Sequence, residues 1–481
     1  MTKYRIIDCL IVLSAFALSV TTAAHAAQYT VTDLGTLGGT ESFGNGLNAG
    51  GQVAGAAYTT DDANFDAFLW IPTTPNGASG SKTDLLTLGG TQSFGNGVNA
   101  SGQVTGESST TADAATHAFL YDGTLHDLLT LGGTNSYGYG INATGQVTGA
   151  SDTTGDATSH AFLWQPTMPN GASGTMYDLL TLGGTESDGG AINAGGQVSG
   201  SSLTTGDAAY HAFLWKPSTP NGTSGTMYDL LTLGGTDSFG GTINANGQVA
   251  GFSYTTGDAA YHAYLWTPTT PNSTSGTMQD LATLGGLNSY SYNVGAGGQV
   301  VGASEVAVEI STYEHAFLYT TGSGMVDLNT LIDPLSGWEL LDASDINEAG
   351  QITGQGLIGD EYHAYLLTPV LAGDYSGNGT VGPEDYDLWK ANFGSTTILA
   401  ADGNGDGRVN AADYTVWRNH LGDSLGAGSG AALPSAAPLS PAVPEPSACA
   451  LAAIALFGLV ACARRVEKSR RQGAGETRRL H

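Results

Sequence analysis

The sequence predicts an all-β protein in the main: a seven-bladed β-propeller of four-stranded blades, closed by the N-terminal strand, over residues 27–370. A small all-α module follows at 371–423, then a flexible linker at 424–443 and a C-terminal hydrophobic helix within 444–481. Three observations lead there. A unit of roughly 50 residues recurs seven times, the period of propeller blades or of a solenoid. A copy of the unit's last strand stands at the front of the chain and is missing from the seventh unit. Two Asp-rich loops of matching pattern each open a helix.

Segments of the type DLxTLGG begin at Asp33, Asp84, Asp127, Asp178, Asp229, Asp280 and, degraded, at Asp327. A second segment, HAFLW in its commonest form, begins at Asp66, His117, His160, His211, His262, His315 and His363. Between them runs INAxGQVxG. In the fourth unit the strands read Gly189–Asn193, Gln197–Ser202, His211–Trp215 and Met227–Leu231, with Ala194-Gly195-Gly196 as the first turn. Asparagine before glycines is turn chemistry, because its side chain bonds the backbone ahead and glycine accepts positive φ. Ala212-Phe213-Leu214-Trp215 is apolar on both faces, which suits sheets packed face to face. The seventh unit ends after its third strand, so Tyr29–Leu34 can complete it and close a ring with few open edges. A solenoid would instead need capping units.

The repeated histidines read as structural. One per blade is spread around a ring, and each reads as a buried histidine bonded to backbone or to a repeat aspartate such as Asp229. The repeated glutamines Gln52, Gln103, Gln146, Gln197, Gln248, Gln299 and Gln351 read the same way. Two copies depart from the pattern, with Asp66 in place of histidine and Gly295 in place of asparagine.

Charge narrows the partners. The chain carries 14 Lys and Arg against 43 Asp and Glu, a net −29. Only Lys82, Lys216, Lys390, Arg408 and Arg418 are basic between Ala27 and Ser447. Phosphate backbones would be repelled, which excludes nucleic acid. Blade topology gathers Glu41, Asp61, Asp62, Asp113, Asp156, Glu186, Asp188, Asp207, Asp237, Asp258 and Asp360 on one end of the ring. That end is expected to attract divalent cations or cationic partners, or simply to confer solubility. Cys9, Cys449 and Cys462 are the only cysteines and lie in the terminal segments, so the ring has no disulfide.

After Pro369 the pattern changes. Asp374, Ser376 and Asn378 stand at positions one, three and five of a twelve-residue loop, with Thr380 at seven and Asp385 at twelve. Asp402, Asn404, Asp406, Arg408, Asn410 and Asp413 form the second set, with Asn410 at nine. Oxygen ligands at this spacing, with glycine at six, wrap a hard cation, and Ca2+ is the expected cofactor; at position seven the ligand is the backbone carbonyl. The helices carry Tyr386, Trp389 and Phe393, and Tyr414, Trp417 and Leu421, as an expected small core, with Gly394 and Gly422 as caps.

The two ends read as sorting signals. Lys3 and Arg5 precede an apolar run, and Ala24 and Ala26 are the small residues a signal peptidase reads, giving a signal segment at 1–26; a buried N-terminal helix is the alternative. Ala448–Ala463 is a thin candidate span. It is followed by Arg464 and Arg465, which the positive-inside rule keeps cytoplasmic.

Three resemblances follow from these residues. The ring units resemble the HAF repeat of extracellular bacterial proteins, which implies an extracellular setting. The segment from Ala372 to about Asp423 resembles a type I dockerin, which implies calcium and a cohesin-like partner. It departs at loop positions ten and eleven, Pro383-Glu384 and Ala411-Ala412, where dockerins carry small hydroxyl residues, so docking in cis or to another surface partner also stays open. Val443, Pro444, Glu445 and Pro446, the span and the arginines together resemble the PEP-CTERM sorting tail. That implies an exosortase-type enzyme and release at the surface or matrix of a Gram-negative-type bacterium; a retained anchor is the alternative. The chain then reads as a secreted, non-enzymatic binding or scaffolding protein. The alternatives are an accessory of an extracellular polysaccharide-degrading assembly and a propeller hydrolase or lyase.

Overall fold

The computed structural model describes residues 28–307 and 314–423. The expected signal segment with Ala24 and Ala26, the linker, Val443 to Pro446, the span at 448–463 and Arg464 and Arg465 lie outside the described residues. Among the described residues no helix is long and apolar enough to cross a membrane.

The ring is a seven-bladed propeller. Each of the first six blades is a four-stranded antiparallel meander in chain order. Blade four shows the type: Gly183–Ile192, Val198–Thr204, Tyr210–Pro217 and Gly225–Asp229. Its third strand buries Ala212, Phe213, Leu214 and Trp215 together, as expected of a sheet covered on both faces. The core therefore lies between blades. Ala212, Leu214 and Leu230 of blade four pack with Ile243, Val249, Tyr264 and Trp266 of blade five.

The glycine ending INAxGQVxG is required by close approach. A Cβ on Gly200 would lie 2.0 Å from the Asp188 carbonyl and 2.8 Å from the Phe213 ring. Asn193 forms the expected turn, its Oδ1 accepting from the backbone of Gly195 and Gln197 at 3.0 Å each.

The seventh blade is completed from the other end of the chain. Tyr29–Asp33 pairs antiparallel with Glu361–Pro369, in register Tyr29↔Pro369 to Asp33↔Tyr365. Leu34, Leu47, Val53, Ala57, Phe68 and Trp70 then pack with Ala364 and Leu366, so the last blade covers the first. This blade's own first strand is broken into Trp338–Leu340 and Asp345–Ile346.

First strands start earlier than their composition suggests, at Gly183 rather than Gly189 in blade four. Glycine pairs poorly, so side chains hold this stretch. Ser187 Oγ donates to the Leu180 carbonyl at 2.6 Å and accepts from Ala161 N of the preceding blade at 2.9 Å. The same serine link, Ser42 to Ala364, crosses the closing seam at 2.9 Å.

Candidate functional site

The Asp-rich loops fold as two matching loop–helix units. We label the helices α1 (Pro383–Asn392) and α2 (Ala411–His420). In the first loop Asp374 accepts from the backbone of Gly377 and Gly379 at 2.8 Å each and from Ser376 Oγ at 3.2 Å. Asn378 instead accepts from Thr380, at 2.9 Å from its N and 2.8 Å from its Oγ1. Asp385, fully buried, accepts from Ser376 N at 2.8 Å and Gly382 N at 2.7 Å.

The second loop repeats this. Asp402 accepts from Asp406 N at 3.1 Å and Gly407 N at 2.7 Å. Asp413 accepts from Asn404 N at 3.1 Å and Asn410 N at 2.7 Å. Here the side chains of positions three, five and nine also converge: the amides of Asn404 and Asn410 both donate to Asp406, at 3.1 and 3.0 Å. Arg408 N donates to Asp406 at 3.0 Å, turning the chain at position seven. The glycines at six, Gly379 and Gly407, have φ of 82° and 81°. Every potential ligand is an oxygen of carboxylate, amide, hydroxyl or backbone, a donor set that fits a hard cation. Among the described residues no group of three or more His, Cys, Asp or Glu side chains is placed to hold a metal.

The two units are tied reciprocally. Trp389 Nε1 donates to the Asn410 carbonyl and Trp417 Nε1 to the Gly382 carbonyl, both at 2.8 Å. Tyr386, Trp389, Tyr414 and Trp417 pack together with ring centroids 5.2–6.1 Å apart. Two expected core members are not there. Phe393 is 57% and Leu421 53% exposed, because each helix stops one residue earlier and the backbone turns extended. Val381, Ala401 and Val409 are buried instead. Gly394 and Gly422, at φ of 86° and 96°, follow the helix ends as expected of caps.

In the ring, each of the six repeated histidines bonds a repeat aspartate through Nδ1. The pairs are His117–Asp127, His160–Asp178, His211–Asp229 and His262–Asp280 at 2.9 Å, His315–Asp327 at 2.7 Å and His363–Asp33 at 3.0 Å. They are spread one to a blade. The asparagines and glutamines form a belt. Asn193 Nδ2 donates to Gln197 Oε1 at 2.9 Å and to the Asn244 carbonyl of the next blade at 3.2 Å. Asn347 donates likewise to the Asn48 carbonyl across the seam, at 3.1 Å. Gln351, Gln103, Gln146 and Gln197 each donate to the asparagine carbonyl of the next blade's PN turn, at Asn76, Asn170, Asn221 and Asn272.

The acidic end of the ring is only partly free charge. Asp62, Asp113, Asp156, Asp207 and Asp258 each accept the backbone N–H of a first-strand threonine, at 2.5–2.8 Å. These aspartates hold the glycine-rich starts of the first strands.

Aromatic rings cluster beside two of the two-to-three turns. Around the two-to-three turn of blade five, Tyr254 and Tyr261 stack at 3.8 Å and Phe239 and Phe252 at 5.0 Å. Tyr210 of blade four reaches Phe239 at 5.7 Å, and Tyr290 of blade six reaches Phe252 at 5.1 Å. All six rings are partly exposed. Tyr210 donates its hydroxyl to Glu186 at 2.6 Å, which pushes its pKa up to about 12. A smaller cluster sits on the same end at blades one and two: Tyr58 and Phe65 at 3.8 Å, with Phe43 and Phe94 beside Phe65. Between blades two and three, burial pushes Glu107 up to about 7, although Asn96 donates to it. Burial and the charges of Glu107 and Asp188 raise the Tyr139 hydroxyl. None of these was singled out from sequence. Phe43, Phe94, Phe239 and Tyr290 share one repeat column with Tyr137, and Phe252 departs from its own, where the other blades have Ala56, Glu107, Ala150, Ser201, Ala303 and Gln355.

No protein-family model matches the chain, and no curated protein matches it. Among solved structures, the sialidase of Trypanosoma rangeli in complex with the inhibitor DANA matches at TM-score 0.35 and 9% identity, over 71% of this chain and 58% of that one. The same sialidase in complex with sialic acid matches at TM-score 0.38 and 9% identity, over 77% and 63%. The dipeptidyl peptidase 4 of Porphyromonas gingivalis matches at TM-score 0.33 and 11% identity, over 65% and 50%. The chain thus spans less than two thirds of each. At these TM-scores the likeness carries no argument about chemistry.

Proposed function

We propose that this protein is a non-enzymatic binding protein of the bacterial surface or matrix, and that its ring holds extracellular polysaccharide. The observation that supports this is the pair of exposed aromatic clusters on one end of the ring, at blades one and two and at blades four to six. Partly exposed Tyr and Phe rings offer flat apolar faces for the C–H faces of sugars, and neighbouring carboxylates and hydroxyls supply the polar contacts such sites need. Set on opposite sides of a seven-blade ring, two clusters can engage one long polymer, and the second contact then gains from local concentration. The acid-rich end disfavours strongly anionic polymers and favours neutral ones.

The other parts of the chain serve placement in this reading. The helical pair binds calcium through Asp374, Ser376, Asn378, Thr380 and Asp385, and through Asp402, Asn404, Asp406, Arg408, Asn410 and Asp413, and docks to a cohesin-like or other surface partner. The terminal signals route the chain through secretion and an exosortase-type enzyme. A second reading, a glycan-cleaving ring, draws on Glu107, whose raised pKa suits a general acid.

Affinity electrophoresis in gels cast with neutral polysaccharides tests the binding. Wild type is expected to be retarded. Tyr254→Ala with Tyr261→Ala, and separately Tyr58→Ala with Phe65→Ala, are each expected to weaken retardation at least tenfold, with melting little changed. Equal mobility of wild type and both variants on every polymer would refute the reading.

A further inference from the structure

We propose that blade one carries a cation site that the other blades lack, formed by Asp66 and Asp84 and suited to a hard divalent ion of the calcium class. Six blades place a histidine two residues before the buried third-strand aromatic, and its Nδ1 bonds the repeat aspartate at 2.7–3.0 Å. Blade one keeps the frame. Phe68 lies opposite Asp84 in the ladder, as Phe119 lies opposite Asp127. Asp84 accepts from Leu86 N at 2.8 Å, as Asp127 does from Leu129 N at 2.7 Å. Only the donor is replaced, so a carboxylate faces a carboxylate.

Asp66 is 8% exposed, and its Oδ1 is buried without a hydrogen-bond partner. A desolvated, unpaired carboxylate oxygen beside a second carboxylate is costly, and a bound cation removes both costs. The nearest lysine does not serve: the Lys82 ammonium donates to the Gly35 carbonyl at 2.6 Å and lies 3.8 Å from the centroid of the Phe68 ring. Aspartate is shorter than histidine, so the exchange leaves room where the imidazole stands in the other blades. Asp84 is partly exposed, which gives an ion access and water ligands. Carboxylates and water without nitrogen or sulfur select calcium or magnesium over zinc, and calcium tolerates the irregular coordination such a site offers.

The test counts ions on the full chain. Equilibrium dialysis against radioactive calcium is run at ~10 mM free ion, above the ~0.1–1 mM dissociation constants of extracellular calcium modules. Wild type is expected to hold one more ion per chain than Asp66→His, which restores the repeat's own pair, and one more than Asp66→Asn, which keeps the shape. Calcium bound by the helical pair is common to all three and cancels. Equal counts in the three proteins would overturn the site. So would a wild type whose melting temperature responds to protons between about pH 5 and 7 but not to calcium, since the pair would then share a proton.

Discussion

Gly295 interrupts the asparagine belt, and Gly295→Asn is expected to stabilise the ring. In blade six the carbonyl of residue 295 accepts from Asn244 at 2.9 Å, but no amide passes the belt on to blade seven. An asparagine there would accept from Gly297 N and Gln299 N, as Asn193 does from Gly195 and Gln197. It would also donate to Gln299 Oε1 and to the Asn347 carbonyl. Gly295 is not in the left-handed region, so the residue is conformationally allowed. Replacing glycine at such a position gains about 0.4–1 kcal/mol from the unfolded chain. Each hydrogen bond adds about 0.5–1.5 kcal/mol net. Against this stand close contacts of the new Cβ, 3.2 Å to Gln299 Oε1 and 3.3 Å to Ile346 Cγ2. A net gain of about 2 kcal/mol, at ~2 °C per kcal/mol for a ring of this size, raises the melting temperature by about 4 °C. Differential scanning calorimetry reads it, with Asn244→Gly as the mirror control, expected to fall by a similar amount. A lower melting temperature for Gly295→Asn would show that room beside Ile346 outweighs the belt.

Three further outcomes follow from the same structure. Deleting Tyr29–Asp33 removes the strand that completes blade seven; losing the buried Tyr29 and its share of the seam, at roughly 2–3 kcal/mol per large apolar side chain, lowers the melting temperature by about 10 °C across the whole ring, where a loss confined to one end would contradict closure. Burial raises the carboxyls of Asp345 and Glu107 to about 7 and of Asp342 to about 6, so the fold favours their protonated forms, their stabilisation is complete below the ordinary carboxylate range, and it is lost as pH rises toward about 7. Calorimetry is therefore expected to show a melting temperature that falls from pH 5 to pH 8, flatter in Asp345→Asn, whereas a rising profile would reverse the sign. The isolated helical pair is expected to lose its circular-dichroism helix signal in chelator, with a larger calorimetric loss of calcium binding for Asp402→Ala than for Asp374→Ala, because the second loop has three carboxylates; identical spectra with and without chelator would refute it.

The ring was legible in the sequence because blades are copies. The missing strand in the seventh unit pointed to Tyr29, and the repeated aspartates such as Asp229 stood with the backbone as the candidate partners of the repeated histidines. What composition hid depends on contacts between copies. Gly183-Gly184 reads as loop, since nothing local says that Asp207 will hold Thr185 N at 2.7 Å. The same bond is why aspartates that read as free surface charge are partly committed to the backbone. Phe393 and Leu421 fall on the apolar stripe only if each helix runs one residue further than it does. The aromatic clusters escaped notice because their rings meet only across neighbouring strands and blades, as Tyr254 meets Tyr261 and Tyr210 meets Phe239, and Phe252 replaces the small or polar residue its column holds elsewhere.

Binding without turnover is the central claim, and one measurement meets it directly. The purified chain is incubated with the polysaccharide that retards it most in affinity electrophoresis, and bound protein and newly formed polymer ends, both reducing ends and unsaturated ends, are measured in the same sample over many hours. The account predicts saturable binding with no new ends above the blank. New ends that rise with time in the wild type and disappear in Glu107→Gln would contradict it and identify a glycan-cleaving enzyme.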